Sequence, residues 1–306
     1  PGGAPSGRLQ GVEQEGEKTM GKIVIVGSGP AGCSAALYAA RAGQEVVVIS
    51  MGMGALSKAE LIQNYYGFEE GITGAELYRR GVAGAKAVGA EFITAEVVGL
   101  DYAATLVVQT TAGDYPADAV IMATGTGRIA PKIAGLAEHE GRGVSYCATC
   151  DAFFYRGKTA AVLGSGEYAL HEVQALLPLA GKVILCTNGE PLTADFPEGV
   201  EICTEKLAAV EGEEKVSALR LENGELLPVE GLFVALGVAG SAALARKLGA
   251  PVENGRIVVD ERMQTGIPGL YAAGDCTGGL LQVCKAVYEG ALAATEAIKM
   301  LRGKKR

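Results

Sequence analysis

The chain has 306 residues, 49% of them hydrophobic and 20% charged, and its 45 glycines are typical of an α/β enzyme rather than of a disordered protein. A net charge of −8 gives no general attraction to nucleic acid or to an anionic membrane. No apolar run reaches the roughly 18 residues of a membrane span, and no signal peptide is visible. We therefore expect an enzyme of two domains, with no nucleic-acid or membrane partner.

The first elements in chain order form a dinucleotide-binding unit. Residues 1–19 are polar and aperiodic, so we expect a disordered or vector-derived extension outside the fold. The β-branched run Lys22–Val26 ends in the glycine turn Gly27–Gly32, and apolar residues at helical spacing follow to about Ala42. A second strand is predicted over Val46–Ser50. This strand–turn–helix–strand order is the context that a dinucleotide fingerprint needs.

The same order of elements returns later in the chain. Thr159–Leu163 predicts a strand, Gly164–Ala169 a turn with a helix to about Leu179, and Lys182–Cys186 the next strand. Residues 97–125 and 209–237 each predict paired strands around a polar turn followed by an apolar strand. A last strand at Gly269–Ala273 and a long helix to about Leu301 have no repeat partner, so we assign them to the first domain.

These elements predict an α/β fold with two Rossmann-like nucleotide-binding domains of three-layer ββα type, each with a β-hairpin insert. The second domain is inserted in the first. The expected limits are 20–127 with 241–306 for a discontinuous first nucleotide-binding domain, and 128–240 for a second domain that carries the cysteine motif.

The first glycine turn is the firmer of the two nucleotide signals. Gly27 permits the tight turn, Gly29 lets backbone approach a pyrophosphate, and Gly32 allows close helix packing. The second strand ends in Ser50 rather than in an acid for a ribose hydroxyl. The adenosine end of a nucleotide must therefore be held by other means.

The run from Cys147 to Asp151 carries the chemistry. Two cysteines separated by two residues can form a small disulfide ring, and the spacing lowers the pKa of one thiol, which favours thiol–disulfide exchange. The alternative is half of a zinc site, but the other five cysteines are scattered and His139 and His171 stand apart, so we predict no metal. Asp151 is either a general acid–base beside the sulfurs or a helix cap.

The remaining cysteines show no paired motif. Cys33, Cys186 and Cys203 lie in or beside apolar elements and are expected to be inert. Cys276 and Cys284 fall near the start of the last helix, and their role stays open. An odd cysteine count with one close pair favours a reducing cytoplasm over a secreted disulfide framework.

With these residues placed, the chain resembles the low-molecular-weight thioredoxin reductases from about residue 20 onward. The matching motifs are GSGPAG at 27–32, MATG at 122–125, CATCDAFFYRGK at 147–158, GLFVALG at 231–237 and IPGLYAAGD at 267–275. The resemblance implies a homodimer that uses FAD to reduce a thioredoxin-like protein. It implies that FAD is bound by Gly27, Ser28, Gly29, Pro30, Ala31, Gly32, Ser50, Met51, Leu56, Asn64, Val97, Ala123, Thr124, Gly125, Gly274, Asp275, Gln282 and Val283.

The resemblance also implies roles within the cysteine motif. Cys150 faces the flavin, Cys147 attacks the partner disulfide, and Asp151 protonates the leaving thiolate. In ordinary family members the two domains rotate between flavin reduction and partner reduction, which predicts hinges near Gly125–Arg128 and Gly237–Ser241.

The sequence departs from this family at the nicotinamide nucleotide site. Family members carry a basic cluster after the second strand of the second domain, whereas this chain has Cys186–Glu190 without a cation. Glu167 and Tyr168 replace small or amide residues in the second glycine turn. A carboxylate beside a diphosphate costs on the order of 1–3 kcal/mol, and each lost phosphate contact costs about 1.5–3 kcal/mol more. We therefore predict that the second domain is scaffold with a degenerate nucleotide site.

A narrower resemblance points to another electron donor. The segments Ala55–Glu60, Asn64–Phe68, GSGEYALHE at 164–172 and Leu177–Leu179 resemble the ferredoxin-dependent flavin thioredoxin reductases. This predicts reduced ferredoxin as donor, a task that suits flavin because it accepts single electrons and passes on a pair. Glu167, Tyr168 and His171 are predicted either to make new contacts or to lie on the helix surface.

Three alternatives remain open from sequence. The first is a reductase that uses NADPH or, with relaxed specificity, NADH. The second is a flavin dithiol oxidase that passes electrons from a small dithiol to oxygen. The third is a redox-sensing flavoprotein, although a sensor does not need both a flavin-side and a partner-side thiol.

Overall fold

In the computed structural model of the chain, residues 21–125, 132–236 and 241–303 are described, apart from the side chains of residues 149, 150 and 241. Within these ranges no helix is long and apolar enough to cross a membrane.

The described elements alternate strands and helices in two rounds. The strands are β1 (Lys22–Val26), β2 (Glu45–Ser50), β3 (Glu91–Thr94), β4 (Val97–Tyr102), β5 (Leu106–Thr110), β6 (Gly113–Ala117), β7 (Ala119–Met122), β8 (Val144–Ser145), β9 (Thr159–Leu163), β10 (Lys182–Cys186), β11 (Glu201–Cys203), β12 (Leu207–Glu211), β13 (Ala218–Leu221), β14 (Leu226–Pro228), β15 (Gly231–Val234), β16 (Val252–Glu253), β17 (Arg256–Ile257) and β18 (Leu270–Ala272). The α-helices are α1 (Pro30–Arg41), α2 (Gly74–Ala87), α3 (Ala148–Asp151), α4 (Glu167–Leu176), α5 (Ser241–Lys247) and α6 (Val283–Gly303), with short 3-10 helices at Gly54–Lys58, Ala152–Tyr155 and Asp275–Thr277.

The first parallel sheet has the strand order β18-β7-β1-β2-β3. Its central strands are β-branched and fully buried, as expected where helices or other layers cover both faces of a parallel sheet. β18 pairs with β7 in parallel, with Tyr271 opposite Ile121. The last strand of the chain therefore lies in the same sheet as the first.

The second parallel sheet repeats this plan with the order β11-β10-β9-β15-β8. Each sheet is accompanied by an antiparallel insert, β4-β5-β6 in the first round and β12-β13-β14 in the second. The sequence predicted these inserts as paired strands, and each has three strands. The α/β fold with parallel, Rossmann-like sheets is confirmed, whereas the exact domain limits stay a prediction.

Helix packing explains two features of the sequence. α1 packs closely along α6, and a Cβ on Gly290 would lie 2.0 Å from the Ala31 carbonyl oxygen, so only glycine fits there. α4 ends at Leu176 rather than near the predicted Leu179. The reason is Pro178: Leu177 still has helical backbone and donates to the Val173 carbonyl oxygen, but proline has no N–H to continue that pattern.

α4 contacts both α3, which contains part of the cysteine motif, and β4 of the first antiparallel insert. The helix that begins at the second glycine turn therefore packs against the cysteine motif on one side and against the first antiparallel insert on another. Most of the predicted hinge residues, 126–128 and 237–240, lie outside the described ranges, so the hinge prediction stays untested.

Candidate active site

The first glycine turn lies at the carboxyl edge of the first sheet, where β1, β2, β7 and β18 all end. Gly27 follows β1 with φ 106°, a conformation that favours glycine. A Cβ on Gly32 would lie 1.8 Å from the Gly27 carbonyl oxygen, so this glycine permits the close approach of helix and turn. A Cβ on Gly29 would meet no atom within 4 Å, so the space beside this turn is open.

The open turn fits a pyrophosphate. Gly29 is the N-cap of α1 and gives no side-chain hydrogen bond, so the first N–H groups of α1 are left for a ligand. No acidic residue lies in the first turn. The Thr124 hydroxyl, just after β7, is buried without a hydrogen-bond partner among the described residues. A buried hydroxyl without a partner is rare, and a bound ligand would satisfy it; the Thr187 hydroxyl after β10 lacks a partner within the described ranges in the same way.

The predicted residues at the end of β2 are tied to this turn. The Ser28 hydroxyl is 2.6 Å from the Ser50 hydroxyl and 3.0 Å from the Tyr78 hydroxyl. Ser28 also donates to the Gly52 carbonyl oxygen at 3.2 Å. Hydroxyls and backbone groups therefore occupy the end of β2, where an acid for a ribose hydroxyl is usual. The contact with Tyr78 was not predicted from the sequence. Met51, next to Ser50, is exposed.

Residues far apart in sequence meet near the start of α6. The Asn64 side-chain amide donates to the Gln282 side-chain oxygen at 2.8 Å, across 218 positions. Leu56 is buried in a small apolar cluster against which Val283 packs. Four of the predicted FAD-binding residues are thus brought together. Val97 lies buried at the start of β4.

The turn after β18 is built around a buried carboxylate. Glu289 accepts from the Gly274 backbone N–H at 2.8 Å and pairs with Lys285 at 2.9 Å. Lys285 also donates to the Gly274 carbonyl oxygen. Burial raises the pKa of Asp275, while the Lys285 and Arg256 charges oppose that rise. The sequence predicted Gly274 and Asp275 but not their support by Glu289.

The second glycine turn differs from the first in being covered. The Thr193 backbone N–H donates to the Ser165 carbonyl oxygen at 2.8 Å. A Cβ on Gly166 would lie 3.0 Å from the Thr193 hydroxyl, whereas the same position in the first turn, Gly29, is open. The chain after β10 therefore occupies the approach to the turn. Glu167 adds a carboxylate in the first turn of α4.

The region after β10 provides one cation that the sequence order did not suggest. Asn188 has φ 56° and accepts from the Leu207 backbone N–H, which brings the start of β12 close. As a result the aliphatic part of exposed Lys206 lies beside Gly189. Lys206 is a single, flexible charge rather than the basic cluster of ordinary family members.

Cys147 is disulfide-bonded and 5% exposed. Its backbone N–H donates to the Ser145 hydroxyl at 3.1 Å, and that hydroxyl donates to an Asp151 carboxylate oxygen at 2.7 Å. Ser145 at the end of β8 therefore links the predicted acid to the reactive cysteine, a role that the sequence did not reveal. The side chain of Cys150 lies outside the described part, so its pairing with Cys147 stays a prediction.

A buried ion pair contacts the backbone of the cysteine motif. Glu172 of α4 accepts from the Ala148 backbone N–H at 2.5 Å and pairs with Lys247 of α5 at 2.6 Å, with side-chain exposures of 1% and 3%. The Lys247 ammonium also lies 5.3 Å from the centre of the Tyr168 ring, whose hydroxyl donates to the Tyr146 carbonyl oxygen.

Glu167, Tyr168 and His171 were predicted either to make new contacts or to lie on the helix surface, and the structure distinguishes these possibilities. Tyr168 is buried and makes the new contacts just described, and His171 contacts Glu172 at 3.2 Å. Glu167 is only partly buried at the helix start. Glu172 could have been noticed in the sequence because it is an acid on the apolar face of a predicted helix. Nothing near it in the sequence indicated Lys247 as its partner.

Glu172 also predicts how stability depends on pH. Burial alone raises its pKa, but hydrogen bonds from His171, Lys247 and Ala148 and the Lys247 charge outweigh that and hold the pKa below its ordinary value. A carboxyl with a lowered folded-state pKa stabilises the fold above its unfolded pKa, and this contribution is lost as pH falls through the folded value.

Cys186 and Cys203, which the sequence predicts to be inert, are free cysteines and register partners at the ends of β10 and β11. Cys33 and Cys276 do behave as buried thiols, and burial raises the pKa of each to about 12. Cys284 is exposed and free. No group of three or more potential metal ligands occurs among the described residues.

Comparison with known proteins gives a consistent assignment. The family model for pyridine nucleotide-disulphide oxidoreductases matches residues 21–290. A thioredoxin reductase of Aquifex aeolicus is 35% identical over 308 aligned positions, covering 93% of this chain and 94% of that protein. A thioredoxin reductase of Listeria innocua is 33% identical, covering 92% and 94%.

Two solved structures are similar over the same length. The atypical thioredoxin reductase TRi from Desulfovibrio vulgaris Hildenborough is 40% identical with a TM-score of 0.87, covering 93% of this chain and 99% of that one. A ferredoxin-flavin thioredoxin reductase from Clostridium acetobutylicum is 36% identical with a TM-score of 0.71 and the same coverage.

Proposed function

The chain belongs to the pyridine nucleotide-disulphide oxidoreductase family, and within it to the thioredoxin reductases, and on that premise we propose a flavin-dependent reductase of a thioredoxin-like protein that takes electrons from reduced ferredoxin. FAD as cofactor is confirmed by this membership. The open first glycine turn, the uncapped start of α1 and the orphan Thr124 hydroxyl fit that cofactor. The residues assigned to bind it stay a proposal.

When bound, FAD supplies a centre that accepts electrons singly or in pairs and delivers a pair to a disulfide. The reduction adds two electrons and two protons to the Cys147 disulfide, breaks its S–S bond and yields two thiols. Cys147 then gives its proton to Asp151 and attacks one sulfur of the partner disulfide as thiolate, and the leaving partner thiolate takes that proton from Asp151. Attack by Cys150 on the mixed disulfide releases the reduced partner and restores the internal disulfide.

The surroundings of Cys147 support these assignments. Ser145 holds Asp151 by a 2.7 Å hydrogen bond and the Cys147 backbone by a 3.1 Å one, which keeps an acid close to the reacting sulfur. Directly after the motif, Phe153 and Phe154 are each 66% exposed. Large exposed aromatic side chains beside a reactive cysteine favour a protein partner, because they gain from being covered.

The covered second glycine turn carries the donor proposal. Thr193 lies over the turn, Glu167 places a carboxylate at the helix start, and Lys206 is a single exposed cation. Phosphates bind where backbone N–H groups are open and cations converge. Gly29 in the first turn faces open space, whereas the Thr193 hydroxyl lies against Gly166 in the second. The Clostridium acetobutylicum relative, whose name couples ferredoxin to flavin, is consistent with this.

A pyridine nucleotide as donor is the second candidate. It is favoured by the curated relatives, which are named simply as thioredoxin reductases, and by Lys206 beside Gly189. We retain homodimer formation and a cytoplasmic location as predictions.

The disulfide reductase function is tested by a half-reaction without any natural donor. Anaerobic holoprotein reduced with dithionite is mixed with an oxidised thioredoxin. We expect the visible flavin absorbance to return as thioredoxin thiols appear. The electrons that the reduced protein loses should equal those that thioredoxin gains. A reduced flavin that persists with thioredoxin but reacts rapidly with oxygen would favour the dithiol oxidase instead.

Ser145→Ala tests the positioning of Asp151. Loss of one hydrogen bond to a carboxylate costs about 1.5–3 kcal/mol, so we expect a decrease of roughly 10- to 100-fold in the rate of thioredoxin reduction. Dithionite reduction of the flavin should not change. The matched variant Ser145→Thr, which keeps a hydroxyl, should recover much of the rate, and an unaffected alanine variant would remove Ser145 from the mechanism.

A further inference from the structure

Two free cysteines lie side by side at the carboxyl edge of the second sheet. Cys186 ends β10 and Cys203 ends β11, and they are register partners in a parallel pair. Neighbouring strands are roughly 4.7–4.9 Å apart. That spacing falls inside the span of about 4.4–6.8 Å between Cα atoms that a disulfide requires.

The two thiols have different access to solvent. Cys186 is completely buried, and Cys203 is partly exposed and packs against the same apolar cluster, so both side chains lie on one face of the sheet. The Cys186 thiol and the Glu205 backbone N–H are the two donors that act on the pKa of Cys203. A partly exposed thiol therefore has a buried thiol as its register partner on the neighbouring strand.

These two donors favour a thiolate at Cys203. The Cys186 hydrogen bond lowers the pKa of Cys203 to about 6, against the opposing effects of burial and of the Glu205 and Glu225 charges, with further lowering by the Glu205 N–H. The pKa of Cys186 is raised correspondingly by the hydrogen bond and by burial. A low-pKa, accessible thiol beside a second cysteine is the arrangement of redox-sensitive pairs.

We propose that Cys186 and Cys203 form a second redox-active dithiol, separate from the Cys147 motif, that a hydroperoxide oxidises to a disulfide. The Cys203 thiolate attacks the peroxide oxygen, breaks the O–O bond and becomes a sulfenic acid, with release of hydroxide. The Cys186 thiol then displaces water from the sulfenic acid and forms the S–S bond. The two sulfurs together lose two electrons, which reduce the peroxide.

The sequence makes this pair easy to monitor. Cys186 and Cys203 fall in one tryptic peptide, residues 183–206, while exposed Cys284 falls in residues 263–285 and serves as an internal reference. Holoprotein with its Cys147 disulfide intact is treated with a small excess of hydrogen peroxide, then denatured, alkylated and digested. We expect peptide 183–206 to lose two hydrogens and to take up no alkyl group, before Cys284 is modified.

Two variants test whether oxidation requires both cysteines or only one reactive thiol. In Cys186→Ala the sulfenic acid on Cys203 should persist and be trapped by dimedone, and alkylation of native Cys203 near neutral pH should slow on the order of tenfold as its thiolate is lost. Cys203→Ser should leave Cys186 unmodified.

Other results would overturn the proposal. These are a peptide that still takes up two alkyl groups after Cys284 has reacted, oxidation of Cys203 to sulfinic acid with Cys186 free, or an unchanged alkylation rate in Cys186→Ala. Because the readout is a mass change in one peptide, it is independent of thioredoxin reduction.

Discussion

Replacing Cys147 with serine is expected to abolish reduction of thioredoxin while FAD binding and flavin reduction by dithionite persist. A serine hydroxyl is not ionised at neutral pH and cannot form a disulfide, so the internal dithiol and the mixed disulfide are both lost. Removal of a covalent nucleophile costs on the order of 10⁴-fold or more in kcat/KM. The measurement is the rate of thioredoxin thiol formation by the dithionite-reduced holoprotein.

Cys150→Ser separates the roles of the two cysteines. This variant keeps the partner-side thiol, so it should form a stable mixed disulfide with thioredoxin, whereas Cys147→Ser should form none. Cys203→Ser, which removes a partly exposed thiol outside the motif, is the matched control and should reduce thioredoxin at the normal rate. A Cys147→Ser protein that still reduced thioredoxin, or that was the variant trapped with it, would contradict the assigned roles.

Lys247→Met should be strongly destabilising. It leaves the Glu172 carboxylate buried without its cation, and breaking a buried ion pair costs about 3–5 kcal/mol. Replacing both partners, Glu172→Met with Lys247→Met, should recover much of the loss because no uncompensated charge remains. The free energies of unfolding of the four proteins, from denaturant titration at neutral pH, give the coupling between the two residues.

A surface ion pair provides the control for this cycle. Lys182 pairs with Glu201 at 2.7 Å, but both side chains are about half exposed, so Lys182→Met should cost no more than about 1 kcal/mol. If Lys247→Met were no more destabilising than Lys182→Met, the buried pair would not hold α4 and α5 together as described. Lowering the pH should reduce the difference between Lys247→Met and the parent, because a protonated Glu172 needs no cation.

The repeated strand–turn–helix order was readable because it is local. Residues 22–26 and 159–163 are short β-branched or apolar runs that end in glycine turns, and the structure forms strands over those same residues. The end of α4 was misplaced, although Pro178 is a local signal that the helix stops earlier. The third strand of each antiparallel insert was missed, although it pairs with the next strand along the chain, β4 with β5 and β12 with β13.

The site residues divide in the same way. Gly27, Gly29 and Gly32 followed from turn geometry, and the Cys147 motif followed from its spacing. Ser145, Glu172 and Lys247 were missed because they act through contacts that only the folded chain creates: Lys247 is 75 positions from Glu172. For the same reason Cys186 and Cys203 were judged inert, since nothing in the sequence shows that their strands pair in register.

The proposed function is tested most directly by finding which donor reduces the flavin. Anaerobic holoprotein is titrated separately with NADPH, NADH and reduced ferredoxin while the visible flavin absorbance is followed, with an NADPH-dependent thioredoxin reductase as control. Because Thr193 covers the second glycine turn and Glu167 lies at its helix start, we expect reduced ferredoxin to bleach the flavin and both nucleotides to fail, even in excess. Rapid, complete bleaching by one equivalent of NADPH would contradict it.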